Sequence, residues 1–411
     1  MVPGEYATET VHLLVLVHGM WGNPSHLAET RRVMLATRGA AADASRSVGP
    51  GGERLHVLVA ETNQEAATYD GIDWGGERVA EEIYAEVKSL QKEGRKVTRF
   101  SVTGYSLGGL VSRYVIGILH QRGFFDTVTP VNFNTLATPH IGLPKYPTFL
   151  SSLTNYFGPK LLSRTGEQFY TVDKWSKNGR PLLEVMADPS RIFYQALASF
   201  QHVRIYANAV NDLTVPYVTA AIKATDPFLN HEFNGVTIEL DETYPAIIKS
   251  YNIPEQFLAK PQVTPLSSEW FKSMKPRRPM LPPPLQFGFP FNLVIYAMTP
   301  LLIPLFMSLV LTRLSAHPAA EKEGSESGTE RLAHIVGKLE HDMEGAMLEI
   351  FEGDFAENGT ASSPARLKKE LAWFPNVMNA HAVIISRDVK RFPVHKEGES
   401  VLQHWADHWI I

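Results

Sequence analysis

Gly104-Tyr105-Ser106-Leu107-Gly108 is where residue types and spacing first point to a reaction. A serine with a glycine two residues away on each side fits a sharp strand-to-helix turn, in which larger flanking side chains would clash. The turn lifts the hydroxyl clear of the sheet and aims a helix N-terminus at it, favouring negative charge that develops there. The chemistry is nucleophilic attack by the Ser106 hydroxyl, with Gly104 and Gly108 forming the elbow. The pattern alone is weak, and its setting sharpens it: an apolar strand ends near Val102 and a helix-like stretch, Leu107–Arg122, begins. His18-Gly19-Met20-Trp21-Gly22 likewise follows the first apolar strand. An oxyanion needs two N–H donors, which we assign to the backbone of Met20 and of Leu107. His18 reads as a structural hydrogen-bonding residue rather than a base.

These residues need a frame, and the first half of the chain supplies the pattern of one. Short apolar runs at Val11–Val17, Leu55–Ala60, Lys96–Val102, Val131–Leu136 and Val203–Val210 read as strands. Trp74–Glu93 is an amphipathic helix, with Val79, Ile83, Val87 and Leu90 on one face and Gly94 closing it. The alternation predicts an α/β fold with a mainly parallel central sheet and covering helices. After about residue 225 the rhythm breaks. A hairpin is expected over Glu232–Leu240, then a Pro-rich run, Lys260–Pro284, and an uncharged stretch, Pro279–Thr312. Glu330–Phe351 reads as helical, and Ser363-Pro364 as the start of a helix over Ala365–Phe374.

Three motifs in order, Leu14–Gly22, Thr103–Gly109 and Ala137-Thr-Pro-His-Ile-Gly142, resemble a fungal family of serine esterases with an α/β-hydrolase fold. That family contains lipases and phospholipases of lipid droplets and internal membranes. The similarity covers about residues 11–220 and resumes around Asn376–Arg387.

A serine nucleophile needs a base, and the base an orienting carboxylate; in this fold the order along the chain is Ser, Asp, His. Asp212 stands two residues past the strand Val203–Val210, where a sheet-edge loop would present it, and the resemblance places the family's acid there. Asp188 and Asp226 are weaker because no strand delivers them. His381 lies between a polar loop and an apolar run and matches the family's histidine motif, with His395 as runner-up. His404 and His408, four apart beside Asp407, could suggest a metal site, but no third ligand has helpful spacing. The expected chemistry calls for no metal and no cofactor.

The uncharged stretch bears on substrate. Leu293–Leu311 could cross a bilayer once, yet Asp212 precedes it and His381 follows it, and both must reach one site. Two crossings need about 40 residues. A shallow hairpin or surface-lying segment over about 285–312 therefore fits, with Pro300 and Pro304 near its middle and Lys272, Lys275, Arg277, Arg278 and Arg313 outside it. A buried helix pair or a lid over an acyl pocket is the alternative. Trp405, Trp409, Ile410 and Ile411 either anchor at an interface or cap the core.

Composition sets the outer bounds. With 411 residues, no cysteine and a net charge of −4, the chain excludes disulfides, a thiolate nucleophile and broad nucleic-acid binding. Met1–Thr10 lacks the apolar core of a secretory signal. Arg113, Arg122 and Lys145 read as scattered solvated charges. The expected organisation is a core with nucleophile and acid (1–225), an insertion (226–375) and a histidine-bearing segment completing the core (376–411). The reading is a lipase or phospholipase acting on a membrane or lipid-droplet surface and facing the cytoplasm. A thioesterase or acyltransferase with the same triad, or a non-catalytic lipid-binding scaffold, is the alternative.

Overall fold

The computed structural model describes residues 9–39, 49–144, 158–254, 298, 308 and 367–410. Six strands form a sheet: β1 (Glu9–Val17), β2 (Arg54–Val59), β3 (Arg95–Tyr105), β4 (Thr129–Leu136), β5 (His202–Asn208) and β8 (Leu367–Ala372). Their order is β2-β1-β3-β4-β5-β8, with every neighbouring pair parallel. A parallel sheet covered on both faces needs strands that are apolar on both sides, which is why β1 reads as a continuous apolar run. Its residues alternate: Val11, Leu13, Val15 and Val17 enter one hydrophobic core, Leu14 and Leu16 the other.

The helices divide between the faces. α2 (Ile72–Lys92), α3 (Leu107–Gln121), α4 (Ser163–Phe169), α5 (Leu182–Ala187) and α6 (Ile192–Ser199) cover the first core. α1 (Ala28–Arg38) and α8 (Glu399–Asp407) cover the second, together with residues 374–385. A short α7 (Tyr217–Ala220) follows β5. The chain thus leaves β1 towards one face and β3 towards the other. In such sheets the crevice beyond the carboxyl ends of these strands is where ligands bind, and it is where the His18–Gly22 loop and Ser106 emerge.

Two expectations change. Leu367–Ala372 is not helical: it pairs with β5 from Val203↔Leu367 to Asn208↔Ala372 as the sixth strand. Its Leu-Lys-Lys-Glu-Leu-Ala composition favours a helix, and pairing at the sheet edge overrides that preference. The sheet therefore takes chain from before position 376. The hairpin lies further along than Glu232–Leu240, as β6 (Thr237–Leu240) antiparallel to β7 (Ile248–Asn252). Trp405 and Trp409 are buried in the second core rather than free to anchor at an interface.

Two compact units divide the chain: Met1–Leu229, Val236–Ile253 and Ile335–Ile411 in one, Asn230–Gly235 and Pro254–His334 in the other. Every strand and helix above lies in the first. The expected segment at about 285–312, apart from Met298 and Ser308, and the expected helix Glu330–Phe351 lie outside the described residues. Among the described residues no helix is long and apolar enough to cross a membrane.

Candidate active site

Ser106 stands between β3 and α3 with φ 55° and ψ −125°. A non-glycine residue there carries backbone strain, of order 1–3 kcal/mol. Trp21, Ala137 and Asn211, each within four residues of the end of β1, β4 or β5, also have positive φ. Four of the ten non-glycine residues with positive φ among the described residues thus follow the carboxyl ends of sheet strands. The neighbouring glycines are there for close approach. A Cβ on Gly108 would lie 2.1 Å from the Val17 carbonyl oxygen, and one on Gly104 2.4 Å from that of Gly108. A Cβ on Gly19 would lie 2.7 Å from Ser106 Cβ, so the loop after β1 runs directly against the serine.

His381 Nε2 is 3.0 Å from Ser106 Oγ, and its Nδ1 is 3.0 Å from Asp212 Oδ2. The carboxylate fixes the proton positions. An ionised Asp212 only accepts, so Nδ1 carries the hydrogen and Nε2 keeps a lone pair for the serine O–H. Asp212 is buried and its acceptors are well used: Oδ1 takes the amides of Thr214 (2.9 Å) and Val215 (2.8 Å), and Oδ2 also takes Asn208 Nδ2 (2.8 Å). Burial pushes the Asp212 carboxyl up, but the charge and hydrogen bond of His381, the Val215 amide and Asn208 outweigh it and hold the carboxyl below its usual range. Ser106, Asp212 and His381, from three distant stretches of sequence, thus form one hydrogen-bonded chain.

The amide of Leu107 opens α3, where an N–H has no intrahelical acceptor. Among the described residues no acceptor takes it or the amide of Met20. His18 is buried, its Nδ1 against the Gly19 carbonyl (3.1 Å), and burial lowers its pKa; it faces the loop backbone. The other candidates are engaged elsewhere. Asp188 holds Arg180 and Ser190, and Asp226 caps the amide of Phe228. His395 accepts from the Asp388 amide. His404 bonds the Tyr206 hydroxyl and stacks on His408 at 4.0 Å.

Sequence reasoning missed several supporting residues. Arg113, expected in solvent, is buried beneath the loop after β4, where its Nη1 donates to the His140 carbonyl (3.1 Å) and desolvation lowers its pKa to about 10. Arg122 is the expected surface charge, paired with Glu77 and Glu81. Thr138 Oγ1 donates to the Ser106 carbonyl (3.0 Å). Asn211 Nδ2 donates to the Phe374 carbonyl (2.8 Å), fastening the loop that carries Asp212 to the chain leaving β8. An arginine seven residues after Ser106 lies two turns along the same helix face, a signal that could have marked Arg113.

Residues 7–225, just over half of the chain, match the family described as "Putative serine esterase (DUF676)". A Schizosaccharomyces pombe protein named "Putative lipase C4A8.10" is 31% identical over 225 residues, covering 54% of this chain and 27% of its own length. The Saccharomyces cerevisiae protein "Putative lipase ROG1" is 32% identical over 162 residues, covering 39% and 22% respectively. The chain therefore spans about a quarter of the length of these relatives. Among solved structures, carboxyl esterase 2 from Tuber melanosporum aligns with a TM-score of 0.32 at 17% identity, over 49% of this chain and 59% of that one.

Proposed function

Because the chain belongs to the family described as "Putative serine esterase (DUF676)", we propose that it hydrolyses fatty-acyl esters of glycerolipids through an acyl-enzyme on Ser106. The hydrogen-bonded chain Ser106–His381–Asp212 carries this reading. His381 Nε2 takes the Ser106 proton as Oγ bonds to the ester carbonyl carbon, and the oxyanion rests on the N–H groups of Met20 and Leu107. The tetrahedral intermediate collapses, the C–O bond to the alcohol breaks, and the Nε2 proton passes to the departing oxygen. Water then gives a proton to Nε2 and its oxygen to the acyl carbon. The acid leaves as Ser106 regains its proton. Asp212 stabilises the imidazolium in both halves without itself being protonated.

The surroundings of the serine support a lipid as the acyl donor. Parallel strands bring all their carboxyl ends to one edge, and four of the six are followed there by an exposed large apolar residue. These are Trp21 after β1 (56% exposed), Ile141 after β4 (53%), Leu213 after β5 (64%) and Met378 after β8 (41%). Singly exposed apolar residues are ordinary, but several gathered at one edge suit an apolar partner. We place the reaction on a lipid-droplet or endoplasmic-reticulum surface, facing the cytoplasm, with residues about 285–312 as the attachment on the strength of their apolar sequence.

The test is fatty-acid release from phospholipid and from acylglycerol emulsions by wild type and Ser106→Ala. Release by wild type alone supports the mechanism, and the lipid consumed names the class. Equal release by both proteins contradicts it.

A further inference from the structure

His381 lies on residues 380–391, a run of turns rather than a strand or helix, so no ladder fixes its backbone. Two side chains do so instead. The Tyr105 hydroxyl donates to the His381 carbonyl (2.9 Å), and Asn379 Oδ1 accepts from the His381 amide (3.1 Å). Each is also tied to a direct sequence neighbour of a second member of the hydrogen-bonded chain. Tyr105 is the residue before Ser106; it is buried on the face where Val377, Ala380 and Val383 pack, and its ring lies 5.1 Å from that of His381. Asn379 Oδ1 also accepts from the amide of Leu213, next to Asp212 (3.3 Å). A backbone bond from the Ala380 amide to the Asn211 carbonyl (2.9 Å) runs beside it.

We propose that Tyr105 and Asn379 are positioning residues for hydrolysis at Ser106. One ties the histidine loop to the nucleophile elbow, and the other ties it to the acid loop. The proposal rests on the serine-esterase reading above. A loop histidine depends for its place on such supporting contacts. Displacing a reacting group by about 1 Å can cost roughly 100-fold in rate. Both act through the backbone of His381.

The experiment uses the full chain as wild type, Tyr105→Phe, Asn379→Ala and Asn379→Asp. Each is titrated with a fluorophosphonate to count reactive serines, and kcat and KM are measured on a soluble p-nitrophenyl ester. Positioning predicts that Tyr105→Phe and Asn379→Ala lose about 10- to 100-fold in kcat and in labelling rate per reactive site, with KM unchanged. Asn379→Asp keeps an accepting oxygen for both amides and restores most of the rate. A purely structural role would lower the melting temperature or the number of reactive sites and leave the rate per site alone; that result overturns the proposal. Asn379 is exposed, so its variants keep the test open should Tyr105→Phe fail to fold. Wild type that labels normally beside unchanged variants overturns positioning alone. Wild type that neither labels nor hydrolyses overturns the esterase reading together with it.

Discussion

Asp212 already accepts three hydrogen bonds besides the one from His381, so an amide at this position changes the chemistry more than the packing. An asparagine could present its NH2 to Nδ1 and favour the wrong histidine tautomer. Asp212→Asn should lower kcat by about 10⁴-fold with little loss of fold, read by ester hydrolysis beside a thermal melt. Gly19→Ala makes a steric test of the same site. Its Cβ would meet Ser106 Cβ at 2.7 Å, and activity should fall about 100-fold. Ser106 was legible from sequence because its turn demands glycines at fixed spacing. Tyr105 and Asn379 were not, since each works on a backbone group of His381 and no residue pattern announces such a contact. Arg113 was misread because an arginine in sequence looks solvated until the loop above it is in place.

At the level of elements, legibility followed apolar runs, which stood out even on the half-buried edge strand β2. β1, β3, β4 and β5 are covered on both faces, and their apolar runs stood out; α2 showed its one-sided stripe. β8 lies at the sheet end with Lys368, Lys369 and Glu370 along it, so only its pairing with β5 reveals it as a strand. The helices between β4 and β5 are held by another contact invisible in sequence. Asp73, in the first turn of α2, is buried and accepts from Arg164 Nε (3.1 Å), Gln168 Nε2 (3.0 Å) and Trp175 Nε1 (3.1 Å). Removing it takes the shared acceptor from three residues at once, Arg164 bonding it through Nη2 as well. Asp73→Ala should cost roughly 2–4 kcal/mol. Hydrogen exchange should quicken over α4 more than over α3, and uniform loosening would contradict this anchoring role.

Across the whole molecule, buried histidines make the fold sensitive to acid. His12 sits on β1, buried between β2 and β3, with Nε2 2.8 Å from Ser101 Oγ. Burial, with Arg99 nearby, lowers its pKa to about 3. The unfolded chain takes up that proton near pH 6.5. Above this pH both states are neutral at His12 and stability is unaffected. Between about 6.5 and 3 the unfolded state binds more protons, so the folded state loses about 1.4 kcal/mol per pH unit. Burial lowers His140 and His404 as well and acts in the same direction. Urea unfolding at pH 7 and pH 5 should show a clear drop, smaller by about 2 kcal/mol in His12→Gln. An equal drop in both proteins would contradict the assignment. The proposed reaction turns on Ser106, and mass spectrometry after fluorophosphonate treatment reads that residue itself. The wild type should carry a single adduct, on Ser106, and Ser106→Ala none. An adduct on another residue, or none on a folded wild-type protein, would contradict that reaction.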